Sequence, residues 1–126
     1  MTQTAGITHE ALAQFYGTSK WYQGPFNRFT MTDGTFYLSQ NGAGWLIDAI
    51  ASYQGAKLDK QTEGFQLWTL KVNTEKRTAV LTCQADSDRP NLVCQKIGYT
   101  DFPLDEIKLY VEGEGGDRVC LLTSEH

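Results

Sequence analysis

Hydrophobic positions recur at helical spacing in the front half of the chain. The clearest example is the segment 45–54, whose wide apolar face is opposed by Asp48. That face consists of Trp45, Leu46, Ala49, Ile50 and Tyr53. A shorter helix is predicted over 9–16, because Thr8 can cap its first turn. The helical part of the chain is therefore expected to span about residues 8–55.

The sequence allows two predictions for the structure of residues 33–40. Asp33 and Gly34 could form a hairpin turn, or Asp33 could cap a short helix that ends near residue 40. The helix is favoured because the Asn-Gly-Ala-Gly sequence at 41–44 then makes a natural break before the next helix. Residues 56–64 are polar and are predicted to be a linker.

From residue 65 onward the pattern changes to the alternation that is typical of strands. Ile107, Leu109 and Val111 alternate with polar positions, which indicates one buried and one exposed face. Five β-rich runs are separated by short turns: FQLWTLKVN, TAVLTCQA, LVCQKIGYT, IKLYVEG and RVCLLTS. The sequence predicts one α+β domain over residues 1–126, in which N-terminal helices pack on one face of a roughly five-stranded antiparallel meander sheet at about 65–123.

The composition is typical of a single globular domain. The chain has 126 residues, with 15 acidic and 11 basic side chains, a net charge of −4 and 40% hydrophobic residues. This acidic balance argues against nucleic acid as a partner and against polybasic attachment to a membrane. No apolar run approaches a membrane span, and the N-terminal segment does not resemble a secretory signal, so we expect a cytoplasmic protein without a membrane segment.

The acidic residues are concentrated near the C-terminus. Six acids lie between Asp101 and Asp117 against Lys108 alone, a local balance of −5. A compact acidic edge could bind a basic protein surface. Its candidate binding residues are Asp101, Asp105, Glu106 and Glu112.

Aromatic residues are concentrated in the opposite half of the chain. Eight of the fifteen lie between Phe15 and Tyr37. Most of these rings are expected to complete the core, but an exposed subset could anchor a protein interface or stack on single-stranded nucleic acid. The candidates are Trp21, Tyr22 and Phe26, with Arg28 beside them. Whether these rings are buried or exposed is left open.

The sequence carries no recognisable catalytic, metal or cofactor motif. We therefore predict no catalytic residue, no metal ligand and no cofactor, and we favour a protein that is not an enzyme. The alternative is a small ligand-binding protein or enzyme whose pocket lies between the 45–54 helix and the sheet. In that case Asp33 or Asp48 would be its polar group.

The cysteines fit a reducing compartment. There are three cysteines, whereas a protein in which every cysteine forms a disulfide has an even number. Cys83 and Cys94 flank the turn at 86–91 symmetrically, so a simple hairpin would place them on facing strands, close enough to pair if oxidised. Reduced, partly buried thiols are the favoured prediction.

Several strings of the sequence are similar to those of a known family. They are TDG (32–34), WLIDAIASYQ (45–54), FQLW (65–68), AVLTCQADSD (79–88), YTDFPL (99–104) and IKLYVE (107–112). The chain thus resembles a family of small bacterial proteins of unknown function. The resemblance implies a bacterial, phage or plasmid-borne cytosolic protein, and it brings no activity, cofactor or catalytic residue. We therefore expect a protein-binding or inhibitory accessory module, with another protein as partner and a homodimer as a further possibility.

Overall fold

The computed structural model describes residues 6–126, and the fold is given for that part of the chain. The helices are α1 (His9–Ala13), α2 (Asp33–Leu38), α3 (Gly44–Ser52) and α4 (Ala56–Thr62). The strands are β1 (Tyr22–Gln23), β2 (Thr30–Met31), β3 (Phe65–Asn73), β4 (Thr78–Gln84), β5 (Asn91–Ile97), β6 (Glu106–Glu112) and β7 (Val119–Leu122). The predicted α+β class is confirmed.

Within residues 6–126 the strands form one seven-stranded sheet in the order β1-β2-β7-β6-β3-β4-β5. The predicted sheet of roughly five antiparallel strands is only roughly right, because the sheet is mostly antiparallel but has seven strands, departs from a meander in its order, and pairs β2 and β7 in parallel. β3, β4 and β5 do follow one another, but β6 returns to pair with β3, which gives a Greek-key order. The two strands outside the five predicted ones, β1 and β2, have two residues each, too few for an alternating pattern to be visible.

The helices cover one face of this sheet. Leu46 and Ile50 of α3 belong to the same buried cluster as Trp68 and Leu70 of β3, and all four are 0% exposed. Burial of each such side chain contributes about 1.5–3 kcal/mol to folding. The predicted apolar face of α3 is confirmed at Leu46 and Ile50, whereas Tyr53, just after the helix, is 37% exposed.

Helix capping explains the start of α1 and α2. The Thr8 hydroxyl accepts a hydrogen bond from the Ala11 N–H at 3.0 Å, as predicted, although α1 ends at Ala13 rather than near residue 16. The prediction of a helix at 33–40 is confirmed by α2, but its cap is Thr32 rather than Asp33. The break before α3 is also confirmed, because Gly42 has a left-handed backbone with φ of 99°.

The predicted linker at 56–64 is wrong, because α4 occupies most of it. Leu58 and Thr62, four residues apart, are 6% and 3% exposed. One large apolar residue, Leu58, gives too weak a periodic signal, and the buried polar residues of this helix hide it further. Asp59, at 5% exposure, is buried by contacts with distant parts of the chain.

The hairpin of β4 and β5 separates the two cysteines that the sequence placed opposite each other. A bulge between Cys83 and Gln84 shifts the register, so that Cys83 faces Val93 and Cys94 faces Thr82. Cys83 and Cys94 therefore point to opposite faces of the sheet, and both thiols are free. Cys83 is buried, whereas Cys94 is exposed.

No helix in the range 6–126 is both long enough and apolar enough to cross a lipid bilayer.

Candidate functional site

Three large aromatic side chains are exposed in one segment of the chain. Tyr16 is 84% exposed, Trp21 62% and Phe26 70%. Trp21 and Phe26 flank β1, the strand at one border of the sheet, and we call these three residues the aromatic edge. Some of the aromatic residues at 15–37 are therefore exposed and others are buried, since Phe29 is only 3% exposed and belongs to the core.

Tyr22 lies next to the aromatic edge but packs inward. Its ring stacks on Phe36 of α2, with centroids 3.9 Å apart and planes at 3°. Its hydroxyl donates a hydrogen bond to Asp33 Oδ1 at 3.1 Å. Burial, together with this hydrogen bond to a carboxylate, raises the pKa of Tyr22. Of the predicted aromatic candidates, Tyr22 therefore attaches β1 to α2, whereas Trp21 and Phe26 face solvent.

The loop between β1 and β2 holds Phe26 in an unusual backbone conformation. Phe26 and Asn27 have φ of 57° and 56°, in the left-handed region. This conformation costs a residue other than glycine about 1–2 kcal/mol. The loop is closed by the Gly24 N–H, which donates to the Phe29 carbonyl at 2.9 Å. The ring of Phe26 is thus presented to solvent by a strained and closed loop.

A buried ion pair fixes the end of this loop. Arg118 donates from Nε to Asp59 Oδ1 at 2.9 Å and from Nη2 to Oδ2 at 2.8 Å. Its Nη1 donates to the carbonyl of Arg28 at 3.1 Å, and Arg28 Nη1 donates to the carbonyl of Gln54 at 3.0 Å. The Gly115 N–H adds a third hydrogen bond to the Asp59 carboxylate at 3.1 Å. The end of the loop that carries Phe26 is therefore connected to α4 and to Gln54, just after α3.

Sequence reasoning missed both members of this pair. Asp59 lay in the supposed linker, and Arg118 follows directly after the acidic stretch, where it is the first basic residue after Lys108. The position of this single basic residue after a run of acids was the signal from which a role for Arg118 could have been predicted. Hydrogen bonds from Arg118 hold the pKa of the Asp59 carboxyl below its usual value, although burial acts in the opposite direction.

Asp33 ties the loop before β1 to the start of α2. Its Oδ2 accepts hydrogen bonds from the Ser19 N–H at 2.9 Å and the Ser19 hydroxyl at 3.0 Å. Its own N–H donates to the Thr18 hydroxyl at 2.9 Å. These hydrogen bonds, led by that from the Ser19 backbone, lower the pKa of Asp33. The carboxylate is engaged in holding the loop.

The predicted acidic residues are not brought together. Asp101 and Asp105 lie in the connection between β5 and β6, half-buried and exposed respectively. Glu106 and Glu112 are the two ends of β6, about 20 Å apart for a strand of this length. Glu112 Oε2 lies 2.6 Å from His126 Nε2. These four acids therefore do not form one continuous strip.

Asp48 is exposed on α3, away from the sheet. The space between α3 and the sheet, where the alternative hypothesis placed a pocket, is filled by Leu46, Ile50, Trp68 and Leu70. A carboxylate on the outer side of this helix does not reach that space. The packing observed here gives the pocket hypothesis no support.

The face of the sheet opposite the helices carries a shallow polar groove of about 360 Å³. Two register pairs form part of its floor and rim, Lys71 opposite Glu106 and Thr69 opposite Lys108. Charges of both signs are interspersed there. In residues 6–126 no three His, Cys, Asp or Glu side chains are grouped so that they could hold a metal ion.

Comparison with known proteins gives a family but no function. A family model matches residues 6–126, almost the whole chain. The chain belongs to the family of unknown function DUF6876. The resemblance inferred from the sequence strings is thereby confirmed. No curated protein and no solved structure matches the chain.

Proposed function

We propose that this member of DUF6876 is a non-enzymatic protein-binding module that acts through its aromatic edge. The observation that carries the proposal is the exposure of Tyr16, Trp21 and Phe26, each above 60%. Tryptophan and tyrosine are the side chains that most often dominate the energy of protein interfaces. Large apolar rings that are left in water within one short segment of the chain favour a binding surface.

The backbone around Phe26 supports the same proposal. The left-handed φ of 57° is an unfavourable conformation for phenylalanine, and the ring gains little burial in return at 70% exposure. Contacts of Arg28 with Gln54 and Arg118 fix the end of the loop before a partner arrives. A pre-ordered loop loses less conformational entropy on binding, which favours affinity.

The charge of the same segment indicates the kind of partner. Residues 14–28 contain Lys20 and Arg28 and no acid, and only the Asp33 carboxylate that Ser19 and Tyr22 bind offsets them, so this segment keeps a small basic excess on a chain of net charge −4. The complementary surface is an apolar pocket bordered by carboxylates. Such a module would have an inhibitory or accessory role in the bacterial cytosol and would be encoded on a mobile element. The three free cysteines support that reducing setting.

The proposal is tested with a photo-crosslinking amino acid at Tyr16 in cells of the native host. The control carries the same amino acid at Glu75, an exposed position in the turn between β3 and β4. We expect a discrete adduct with one acidic protein from position 16 only. Absence of an adduct, or the same adducts from both positions, would overturn the proposal.

A second set of variants assigns the adduct to the aromatic edge. Trp21→Ala combined with Phe26→Asn is expected to abolish the adduct, because asparagine accepts the left-handed backbone while the ring is lost. The matched control is Tyr99→Ala, which removes a ring of 67% exposure elsewhere on the surface and should leave the adduct unchanged. Equal adduct yields in the two variants would refute a role for Trp21 and Phe26.

A further inference from the structure

One threonine on the face of the sheet away from the helices is buried, yet its hydroxyl has no hydrogen-bond partner. Thr69 lies on that face because its neighbours in β3, Trp68 and Leu70, belong to the core on the helix side. It is 5% exposed, and its hydroxyl makes no hydrogen bond with any group in residues 6–126. The oxygen is not sealed from solvent. It is therefore available to a molecule that enters the polar groove, which Thr69 lines.

Two lysines stand beside this hydroxyl. Lys108 of β6 is directly opposite Thr69, and Lys71 is two residues further along β3 on the same face. Side chains that are opposite each other in such a pair have Cβ atoms about 5 Å apart, and diagonal neighbours about 7 Å. Long lysine side chains span these separations easily. The two ammonium groups and the hydroxyl can therefore contact the same small group in the groove.

The charges around this point leave a positive excess. Glu106 is opposite Lys71 and completes a square of four neighbouring residues, which holds two ammonium groups and one carboxylate. In the part of the chain that the structure describes, Arg118 is the one lysine or arginine whose nitrogen contacts a carboxylate. Neither lysine of the square is therefore paired with Glu106. An anionic group of a ligand would balance the excess and could accept hydrogen bonds from both lysines.

The groove extends from this square toward the turn between β4 and β5. Its volume of about 360 Å³ lies at the lower end of the range of about 300–1,000 Å³ that is typical of small-molecule sites. Leu67 and Val80 contribute apolar lining, and Gln84, Ser87 and Asn91 line the end near the turn. This lining suits a small molecule that has one anionic end and a polar body.

We propose that the groove is a binding site for a small organic anion, whose carboxylate or phosphate group is held by Lys71, Lys108 and the Thr69 hydroxyl. The ammonium groups supply charge, and the hydroxyl donates a hydrogen bond to an oxygen of the anion. The groove lies over β6, β3 and β4, whereas the aromatic edge flanks β1 at the border of the sheet. The inference therefore does not depend on the proposed function.

An NMR titration tests the site directly. Inorganic phosphate and acetate are added separately to the native chain, with sodium chloride holding the ionic strength constant, and the backbone amide shifts are followed. We expect saturable shifts in the millimolar range, centred on Thr69, Lys71 and Lys108, from at least one probe. The probe with the lower Kd identifies the anionic group that the site prefers. Absence of saturable shifts with both probes, or shifts centred elsewhere, would overturn the inference.

Charge variants assign the binding to the square. Lys71→Gln and Lys108→Gln should each raise the Kd about tenfold, because each removes one charge-assisted hydrogen bond. Glu106→Gln should lower the Kd, because it removes a negative charge beside the anion. The matched control is Lys96→Gln, which removes a lysine opposite Val80 that does not line the groove, and it should leave the Kd nearly unchanged.

A variant without a change of charge tests the hydroxyl. Thr69→Val keeps the shape of the side chain and should raise the Kd severalfold while the amide spectrum shows that the fold is intact. Two results would overturn the inference. One is a Kd that Lys96→Gln raises as much as Lys71→Gln does, which would mean general attraction to a basic surface. The other is a Kd that Thr69→Val leaves unchanged.

Discussion

Arg118 and Asp59 form a bidentate ion pair in which both side chains are more than nine-tenths buried. The pair joins α4 to the segment before β7, 59 residues away along the chain. Arg118 also reaches the Arg28 carbonyl in the loop that carries Phe26. One buried contact therefore connects the core to the surface for which we propose a binding role.

Asp59→Asn should strongly destabilise the fold. The substitution leaves the Arg118 guanidinium buried without its counter-charge, and breaking one side of a buried pair costs about 3–5 kcal/mol. Urea denaturation measures this loss. The matched control is Asp48→Asn, an exposed carboxylate on α3 for which we expect a change within about 0.5 kcal/mol. Equal effects of the two substitutions would show that the pair does not stabilise the fold.

The same carboxylate should make stability depend on acidic pH. The pKa of Asp59 is lowered in the folded state from its ordinary value of 3.8. The unfolded chain therefore binds the proton first as pH falls, and stability is lost from about pH 5 downward until the folded pKa is passed. Urea midpoints across this range should fall more steeply for the native chain than for Asp59→Asn. Parallel slopes would contradict this account.

How far the sequence predicts this fold depends on how local each signal is. The Thr8 cap, the break at Gly42 and the buried face of α3 are local, and each is confirmed. The α4 helix has too weak an apolar pattern to be visible, and the buried state of Asp59 follows from a contact with Arg118, which no local window contains. Strand order is similarly non-local, because the pairing of β6 with β3 depends on the path of the whole connection.

The sequence predicted the region of the candidate site but not which of its side chains are exposed. The aromatic content of 15–37 indicated where to look, but it could not separate Phe29, which is buried, from Phe26, which is exposed. That difference arises from the turn around Gly24 and the left-handed backbone at Phe26. The sequence also could not show how the acidic residues are spaced, because a strand carries its two end residues far apart, as with Glu106 and Glu112.

Thiol reactivity should distinguish Cys94 from the other two cysteines. Burial raises the pKa of Cys83 to about 12, and burial likewise raises that of Cys120, so both remain protonated and covered. We expect Ellman's reagent to titrate one thiol in the folded protein and three in denaturant. Cys94→Ser should titrate none when folded. Rapid modification of a second thiol in the folded native chain would show that one of the buried positions opens.

Phe26→Asn should separate stability from binding. Asparagine tolerates the left-handed backbone better than phenylalanine, so relief of the strain should leave stability unchanged or raise it by up to about 1 kcal/mol. Thermal and urea denaturation measure this difference.

The control for this experiment is Phe29→Asn, which removes a ring of 3% exposure and should cost about 3 kcal/mol or more. If Phe26→Asn were comparably destabilising, the exposed ring would contribute to packing, and its exposure would no longer support a binding role. A stable Phe26→Asn that has lost its partner adduct would instead mean that the strained loop is maintained for recognition.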